Sequence, residues 1–363
     1  MDIDSLYNFY NGKKVLVTGH TGFKGSWLCM LLHRMGAKLY GMSLRPEKES
    51  LYAMARVHGL MEEEAFRDIG RSHNVGVISD EWKPDVVLHL AAQPLVLESY
   101  RNPVATYRTN LMGTLNILEE IRKTPSIVSS VLITTDKVYD NKESLHPYKE
   151  TDPFGGYDPY SSSKGCCEIA IDSWRQSFRM EHLASARAGN VIGGGDFAEN
   201  RIVPDWARAL KTRTKLQVRN PNSVRPFQHV LEPLFGYLVL GKMVAEDDAL
   251  SGGWNFGPNV DEVHKVSELL ELLNKELDKE LDKEIVDPVI IEYDTKEYPH
   301  EANLLRLDIT KAMTKLDWKP VWNLEDTARN VARWYGLWCM GANAYEACLR
   351  DIAEYEEGAM RDE

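Results

Sequence analysis

Lys14-Val15-Leu16-Val17-Thr18 is a short apolar, β-branched run, and Gly19-His20-Thr21-Gly22-Phe23-Lys24-Gly25 follows it directly. A helical stretch, Ser26 to Met35, comes next. The run predicts a buried strand, and a strand that turns through glycines into a helix restricts the possible folds more than any other feature. Glycines at such a turn allow backbone N–H groups to approach a diphosphate, which the positive end of the helix then stabilises. The spacing is G-x-x-G-x-x-G, not the commoner G-x-G-x-x-G. Turns use glycine anyway, so the position between strand and helix carries the reading.

The alternation continues. Lys38 to Ser43 reads as a second strand, ending in Ser43-Leu44-Arg45. Many dinucleotide sites carry an acid at this point for the adenosine ribose; Arg45 suits a 2′-phosphate instead, which leaves NAD and NADP both open. Ala65 to Ile69 is expected to be a third strand. Asp68 then either meets an adenine amino group or is an ordinary aspartate at a strand end. Asp85 to Leu90 makes a fourth strand, and the small residues of Ala91-Ala92-Gln93 let a flat cofactor pass close by. Tyr107 to Arg122 has helical spacing, with Asn110 as a buried hydrogen-bonding group, while Val128–Ile133 and Leu183–Ala188 complete six strands. This rhythm predicts an α/β fold with a doubly wound parallel (Rossmann) sheet. Ligands bind such sheets beyond the strand C-termini.

The fifth strand delivers Thr134-Thr135-Asp136-Lys137 to that edge. Further on, Asp158-Pro159 has the form of a helix start, N-cap then first turn, and Tyr160 and Lys164 follow four apart on one helical face. A cation beside a phenol favours phenolate over its usual pKa of about 10, which makes tyrosine a usable base. The spacing alone is common by chance in a chain with 16 tyrosines. Its neighbours give it weight.

Gly189-Asn190-Val191-Ile192-Gly193-Gly194-Gly195-Asp196 opens a loop-rich second half. Arg201, Arg219 and Arg225 are spread over mixed elements there, and guanidinium pairs bidentately with phosphate oxygens. Arg225, within an ordered strand-like run, ranks first. Val266 to Glu284 is a charged amphipathic helix with a solvated face. Pro299-His300-Glu301-Ala302 either reaches a substrate or caps an element, and Trp334 to Glu363 reads as helical, without chemistry. The expected division is a dinucleotide-binding domain over 1–189 plus about 229–254 and a smaller α/β C-terminal substrate-binding domain over 190–228 plus 255–335. Residues 336–363 form a helical tail.

Composition narrows the function classes. A net charge of −12 argues against a general nucleic-acid or anionic-membrane binder. No apolar run approaches the roughly 20 residues of a membrane-spanning helix, and the acidic N-terminus lacks the apolar core of a signal peptide. Five cysteines, Cys29, Cys166, Cys167, Cys339 and Cys348, show no metal-type spacing. A cytoplasmic protein without a metal is expected.

Several long segments in one order resemble the extended short-chain dehydrogenase/reductase family, and within it the sugar-nucleotide 4,6-dehydratases that act on CDP-glucose. They are Val17 to Gly25, His89 to Val96, Thr135-Asp136-Lys137, Gly155 to Tyr160, Arg187 to Asp196 and Arg225 to Pro233, and the likeness runs from Gly12 to about Tyr335. It departs at Arg67-Asp68-Ile69, where the family usually has Gly-Asp-Ile, and at Glu143 to Tyr148, which replaces a Trp-rich turn. The resemblance implies tightly held NAD, a nucleotide-diphosphate hexose as substrate (CDP-glucose in the family it most resembles), and a homodimer or homotetramer. It assigns Gly19, Thr21, Gly22, Phe23, Lys24, Gly25, Arg45, Asp68, Ile69, Leu90, Ala91, Ala92, Gln93, Thr109, Thr134, Tyr160 and Lys164 to the cofactor. Gln93, Asn190, Arg201, Arg219, Arg225 and His300 go to the substrate. Tyr160, assisted by Lys164, would take the C4 hydroxyl proton and Thr135 would orient that oxygen. Lys137, where related dTDP-glucose enzymes carry glutamate, would remove the C5 proton, and Asp136 would protonate the departing C6 hydroxyl. Two rivals remain: a 4-epimerase on the same scaffold, which does not need Asp136-Lys137, and a non-catalytic dinucleotide-binding protein, which does not need Tyr160 or Lys164.

Overall fold

The computed structural model describes residues 1–280, 287–293 and 304–361. Its centre is a seven-stranded sheet whose paired strands all run parallel. The first six strands are β1 (Lys14–Thr18), β2 (Lys38–Ser43), β3 (Met61–Phe66), β4 (Val86–His89), β5 (Ser129–Ile133) and β6 (Leu183–Ala188). A seventh, Gly252–Phe256, adds beyond β6. Across the sheet the order is seventh strand, β6, β5, β4, β1, β2, β3. The order reverses direction between β1 and β4, and a crevice opens there at the strand C-termini.

Both faces of the sheet are covered, which is why its central strands read as continuous apolar runs. Successive side chains point to opposite faces. Val15, Val17, Val86, Leu88, Val131 and Ile133 join one core. Leu16, Val87 and Leu132 join the other with Ile117, Leu118, Cys167 and Ile171 from two covering helices. On the first face lies Leu231–Glu246, a helix with twelve buried residues. Its sequence is apolar nearly all round, as its position between layers requires.

Four boundaries differ from expectation. The third strand is Met61–Phe66, not Ala65–Ile69. It pairs with β2 only as far as Ser43↔Phe66, so the chain leaves the sheet where its partner ends, and Arg67 N donates to Ser43 O at 2.7 Å. As the edge strand it carries exposed Glu62 and Glu63, which hid it from an apolar pattern. The glycine-loop helix is Phe23–Arg34, starting at the loop itself with Gly22 as its N-cap. The stretch from Tyr107 is a helix, Pro103–Tyr107, that widens through a π-type turn at Arg108–Met112 and continues as Gly113–Lys123. The C-terminal region is two helices, Leu324–Cys339 and Ala344–Arg361, separated at Gly341, whose φ of +80° only glycine adopts easily. The last helix is tied down: the Tyr355 hydroxyl donates to Glu232 at 2.7 Å, and Glu356 pairs with Arg34 at 3.0 Å.

Smaller elements cover the C-terminal edge of the sheet. They include the helix Ile202–Thr212, the parallel pair Leu216–Val218 with Ile291–Tyr293, and the antiparallel pair Val224–Arg225 with His264–Lys265. The charged helix is described as Val266–Glu280, with Leu269, Leu270, Leu273 and Leu277 buried along one side. Residues 281–284 of the expected helix lie outside the described residues.

Candidate active site

The glycine turn is built by close approach. Gly19 has φ +76°, and a Cβ there would lie 2.8 Å from Ala91 N. A Cβ on Gly25 would lie 2.1 Å from Gly19 O, so the first helical turn can seat on the loop only without a side chain. The Thr21 hydroxyl hydrogen-bonds Ser43 Oγ at 2.7 Å and holds the turn to the end of β2. The helix N-terminus therefore opens directly on a long cleft, an arrangement suited to a diphosphate.

That cleft brings most of the expected residues together. Gly19, Thr21, Gly22, Phe23, Lys24, Gly25, Asp68, Ile69, Leu90, Ala91, Ala92 and Thr109 line one half of it. Thr134, Thr135, Asp136, Lys137, Tyr160 and Lys164 stand near its middle, and Asn190, Arg201, Arg219 and Arg225 come from the covering elements. Two residues fall elsewhere. Arg45 stacks its guanidinium over the Phe66 ring at 5.3 Å and does not line the cleft, whereas Arg67 does. Gln93 is turned into the wall: its Nε2 donates to Thr106 Oγ1 at 2.9 Å and its Oε1 accepts from Leu95 N at 2.5 Å. These bonds brace its own loop, because the backbone of a tight turn needs partners. His300 lies outside the described residues. Asn110 is a brace, as expected, holding Gln93 N and Ser163 Oγ.

The two chemical clusters meet because strand and helix cross. Asp158 caps the helix Pro159–Ser177, its Oδ1 accepting from Ser161 N at 2.9 Å, and this starts the helix so that Tyr160 and Lys164 face the end of β5. The Lys164 ammonium is buried and donates to Ile133 O at 2.9 Å. Burial lowers its pKa, with Cys167 and Glu168 opposing. Burial also pushes the Tyr160 phenol up to about 12, against a hydrogen bond with Thr135. Desolvation is the largest influence on Tyr160, Asp136 adds to it, and Thr135 and Arg201 oppose it.

Asp136 and Lys137 are not a neutralising pair. The Thr135 hydroxyl donates to Asp136 Oδ1 at 3.0 Å, and among the described residues Asp136 Oδ2 has no hydrogen-bond partner. The short turn Asp136–Val138 sends the Lys137 side chain to the cleft while Asp136 is buried.

Of three further contributors, sequence reasoning missed two. The first, Lys24, is assigned to the cofactor by the resemblance, and its Nζ also donates to Tyr237 Oη at 3.3 Å. Burial, then Arg201 and Lys164, bring its pKa down to about 7. A charged residue between two glycines was the available signal. The second is Glu168, one turn beyond Lys164, which accepts from Thr134 Oγ1, from Ser185 Oγ at 2.7 Å and from Arg187 at 2.8 Å. Burial raises its carboxyl and Arg187 more than reverses this. The third is Arg187 itself, which forms a buried ion pair with Glu168 at 2.8 Å.

A doubly wound sheet, a glycine turn at a helix N-terminus and a Tyr–Lys pair beside the end of β5 define an extended short-chain dehydrogenase/reductase. The family described as GDP-mannose 4,6 dehydratase matches residues 16–331. A CDP-glucose 4,6-dehydratase from Salmonella typhimurium is 42% identical over 98% of this chain and 99% of its own length. The chain belongs to this 4,6-dehydratase family. Among solved structures, an epimerase from Methanothermobacter thermautotrophicus superposes with a TM-score of 0.78 at 22% identity, covering 93% of this chain and 96% of the other. A dTDP-glucose 4,6-dehydratase from Bacillus anthracis, solved in complex with NAD, gives 0.73 at 21% identity, covering 89% and 96%. Both likenesses bear on the fold.

Proposed function

We propose that this chain is an NAD-dependent hydro-lyase that converts CDP-glucose to CDP-4-keto-6-deoxyglucose. The observation that carries the reading is the convergence of Tyr160 and Lys164 with Thr135, Asp136 and Lys137 in one cleft. The 42% identity to a CDP-glucose 4,6-dehydratase supports the choice of substrate. The glycine turn, closed to any Cβ at Gly19 and Gly25, fits the diphosphate of a dinucleotide. The glycine turn and its cleft would hold NAD, which would supply the acceptor and donor of a hydride for the sugar C4 and C6.

The chain's own residues do the rest. Tyr160, ionised with help from Lys164, takes the C4 hydroxyl proton, and Thr135 orients that oxygen. The C4 ketone acidifies C5–H, and Lys137 is the base that removes it. Asp136 gives its proton to the departing C6 hydroxyl, which leaves as water, and the protonated Lys137 returns its proton to C5 as C6 is reduced. Asn190, Arg201, Arg219 and Arg225 are suited to the nucleotide-diphosphate end. A 4-epimerase would not need the acid–base pair at the end of β5, and a binding module would not need Tyr160 and Lys164. We further place the enzyme in the cytoplasm as a homo-oligomer.

The test is incubation of purified protein with CDP-glucose, read by mass and by product absorbance in alkali. Loss of one water is expected. If CDP-glucose survives while another sugar nucleotide loses water, the substrate assignment falls; if none reacts even with added NAD, catalysis falls.

A further inference from the structure

The cycle above leaves one proton unaccounted for at each end. Tyr160 finishes a turnover with one proton more, and Asp136 with one fewer, because Lys137 returns what it took. Asp136 must therefore be recharged from somewhere before the next turnover.

Asp136 also borders a second, small cavity of about 10 Å³. That is room for about one water, which needs two to four polar partners to be held. Asp136, Gln228 and Arg306 all line it. Each has a buried polar atom without a hydrogen-bond partner among the described residues: Asp136 Oδ2, Gln228 Oε1 and Arg306 Nε. The Gln228 amide is oriented unambiguously, since its Nε2 donates to Gly189 O at 3.1 Å and to Phe256 O at 3.2 Å. Oε1 is thus the free end. Two acceptors and one N–H donor match a water's two O–H bonds and one lone pair. Leaving three such groups buried without partners is unfavourable, and a single water satisfies all three. The outer rim includes the exposed residues Asn259 and Val260, so the cavity leads toward solvent.

We infer that one water bound between Asp136 Oδ2, Gln228 Oε1 and Arg306 Nε is the route by which Asp136 regains its proton from solvent. The inference rests on Asp136 being the acid for C6 dehydration. In the step, an O–H bond of the water breaks as an O–H bond to Asp136 forms, and the water takes a proton from solvent at the Asn259–Val260 rim. The proton gained by Tyr160 leaves to solvent, so the cycle balances with no oxidant or reductant. Gln228 and Arg306 are positioning residues, acting through the water.

Two measurements test it. A high-resolution crystal structure of the full chain is expected to show one ordered water touching all three atoms; a dry cavity, or Arg306 bonded directly to Asp136, overturns the inference whatever the substrate. Rapid mixing with CDP-glucose then compares the parent with Arg306→Met and Gln228→Met. Formation of reduced nicotinamide, which reports C4 oxidation, is expected to stay within about twofold, while steady turnover falls at least about tenfold and reduced cofactor accumulates, in line with general acid–base effects. Parent-like turnover in Arg306→Met, or equal slowing of both phases, overturns the relay. If Asp136→Asn itself leaves elimination intact, the catalytic reading fails instead, and the water density distinguishes the two.

Discussion

Gly189 shows how much a single residue can decide. A Cβ built there would lie 1.8 Å from Asp136 Oδ2, so the carboxylate has its place only because that side chain is missing. Gly189→Ala is expected to leave the fold intact and reduce turnover about 100-fold, the usual penalty for displacing a catalytic group by an ångström; activity beside an unchanged circular dichroism spectrum checks this. Lys137→Ala is expected to lose more than about 100-fold in turnover with C4 oxidation retained, the range for removing a general base. Asp136→Asn should likewise trap reduced cofactor, visible by its absorbance. Turnover of Lys137→Ala within a few-fold of the parent would remove Lys137 from the C5 step. The types and positions of these residues were legible in the sequence. The free Oδ2 and the cavity beside it were not, because Gln228 and Arg306 lie 92 and 170 positions away from Asp136.

Among the elements, the helix Pro159–Ser177 displays Tyr160, Lys164 and Glu168 at four-residue steps along one face. The cap and the Tyr–Lys spacing could be read locally. The role of Glu168 could not, since its partners Thr134, Ser185 and Arg187 come from the end of β5 and from β6. For the same reason β3 was misplaced: its end is set by its partner strand, not by its own composition. The helix Leu231–Glu246 carries a second case, Glu232, which accepts from Tyr355 Oη at 2.7 Å, Trp322 N at 2.7 Å and Val321 N at 3.1 Å. Burial outweighs those bonds and raises its carboxyl from an ordinary 4.5 to about 7. Between those values the folded chain holds a proton that the unfolded chain has lost, so stability falls as pH rises across the window. The loss amounts to about 3 kcal/mol for a shift of this size. Glu232→Gln should flatten that dependence, measured as the difference in urea unfolding free energy between pH 5 and pH 7.5 for variant and parent. An unchanged slope would mean that Glu232 ionises near its ordinary value.

At the scale of the whole molecule, the helices Pro103–Tyr107 and Pro159–Ser177 leave Val104 and Ile169 exposed outside the cleft, Val104 by 78%. Grouped apolar side chains of this kind mark association surfaces. Light scattering is expected to give about twice the chain mass, and Val104→Asp to shift it toward the monomer; a monomeric parent would refute the assignment. The sequence by itself determined the parallel sheet, the glycine turn, the Tyr–Lys helix and the family, because strand runs, caps and close-approach glycines are local demands of backbone geometry. Tertiary structure alone decided where strands end, that Arg45 and Gln93 turn away from the cleft, and that burial raises the Tyr160 phenol. It also decided that Glu168 is neutralised by Arg187 and that Asp136 borders a water-sized cavity. These outcomes depend on desolvation and on partners distant in the chain, and neither is written in any short stretch of residues.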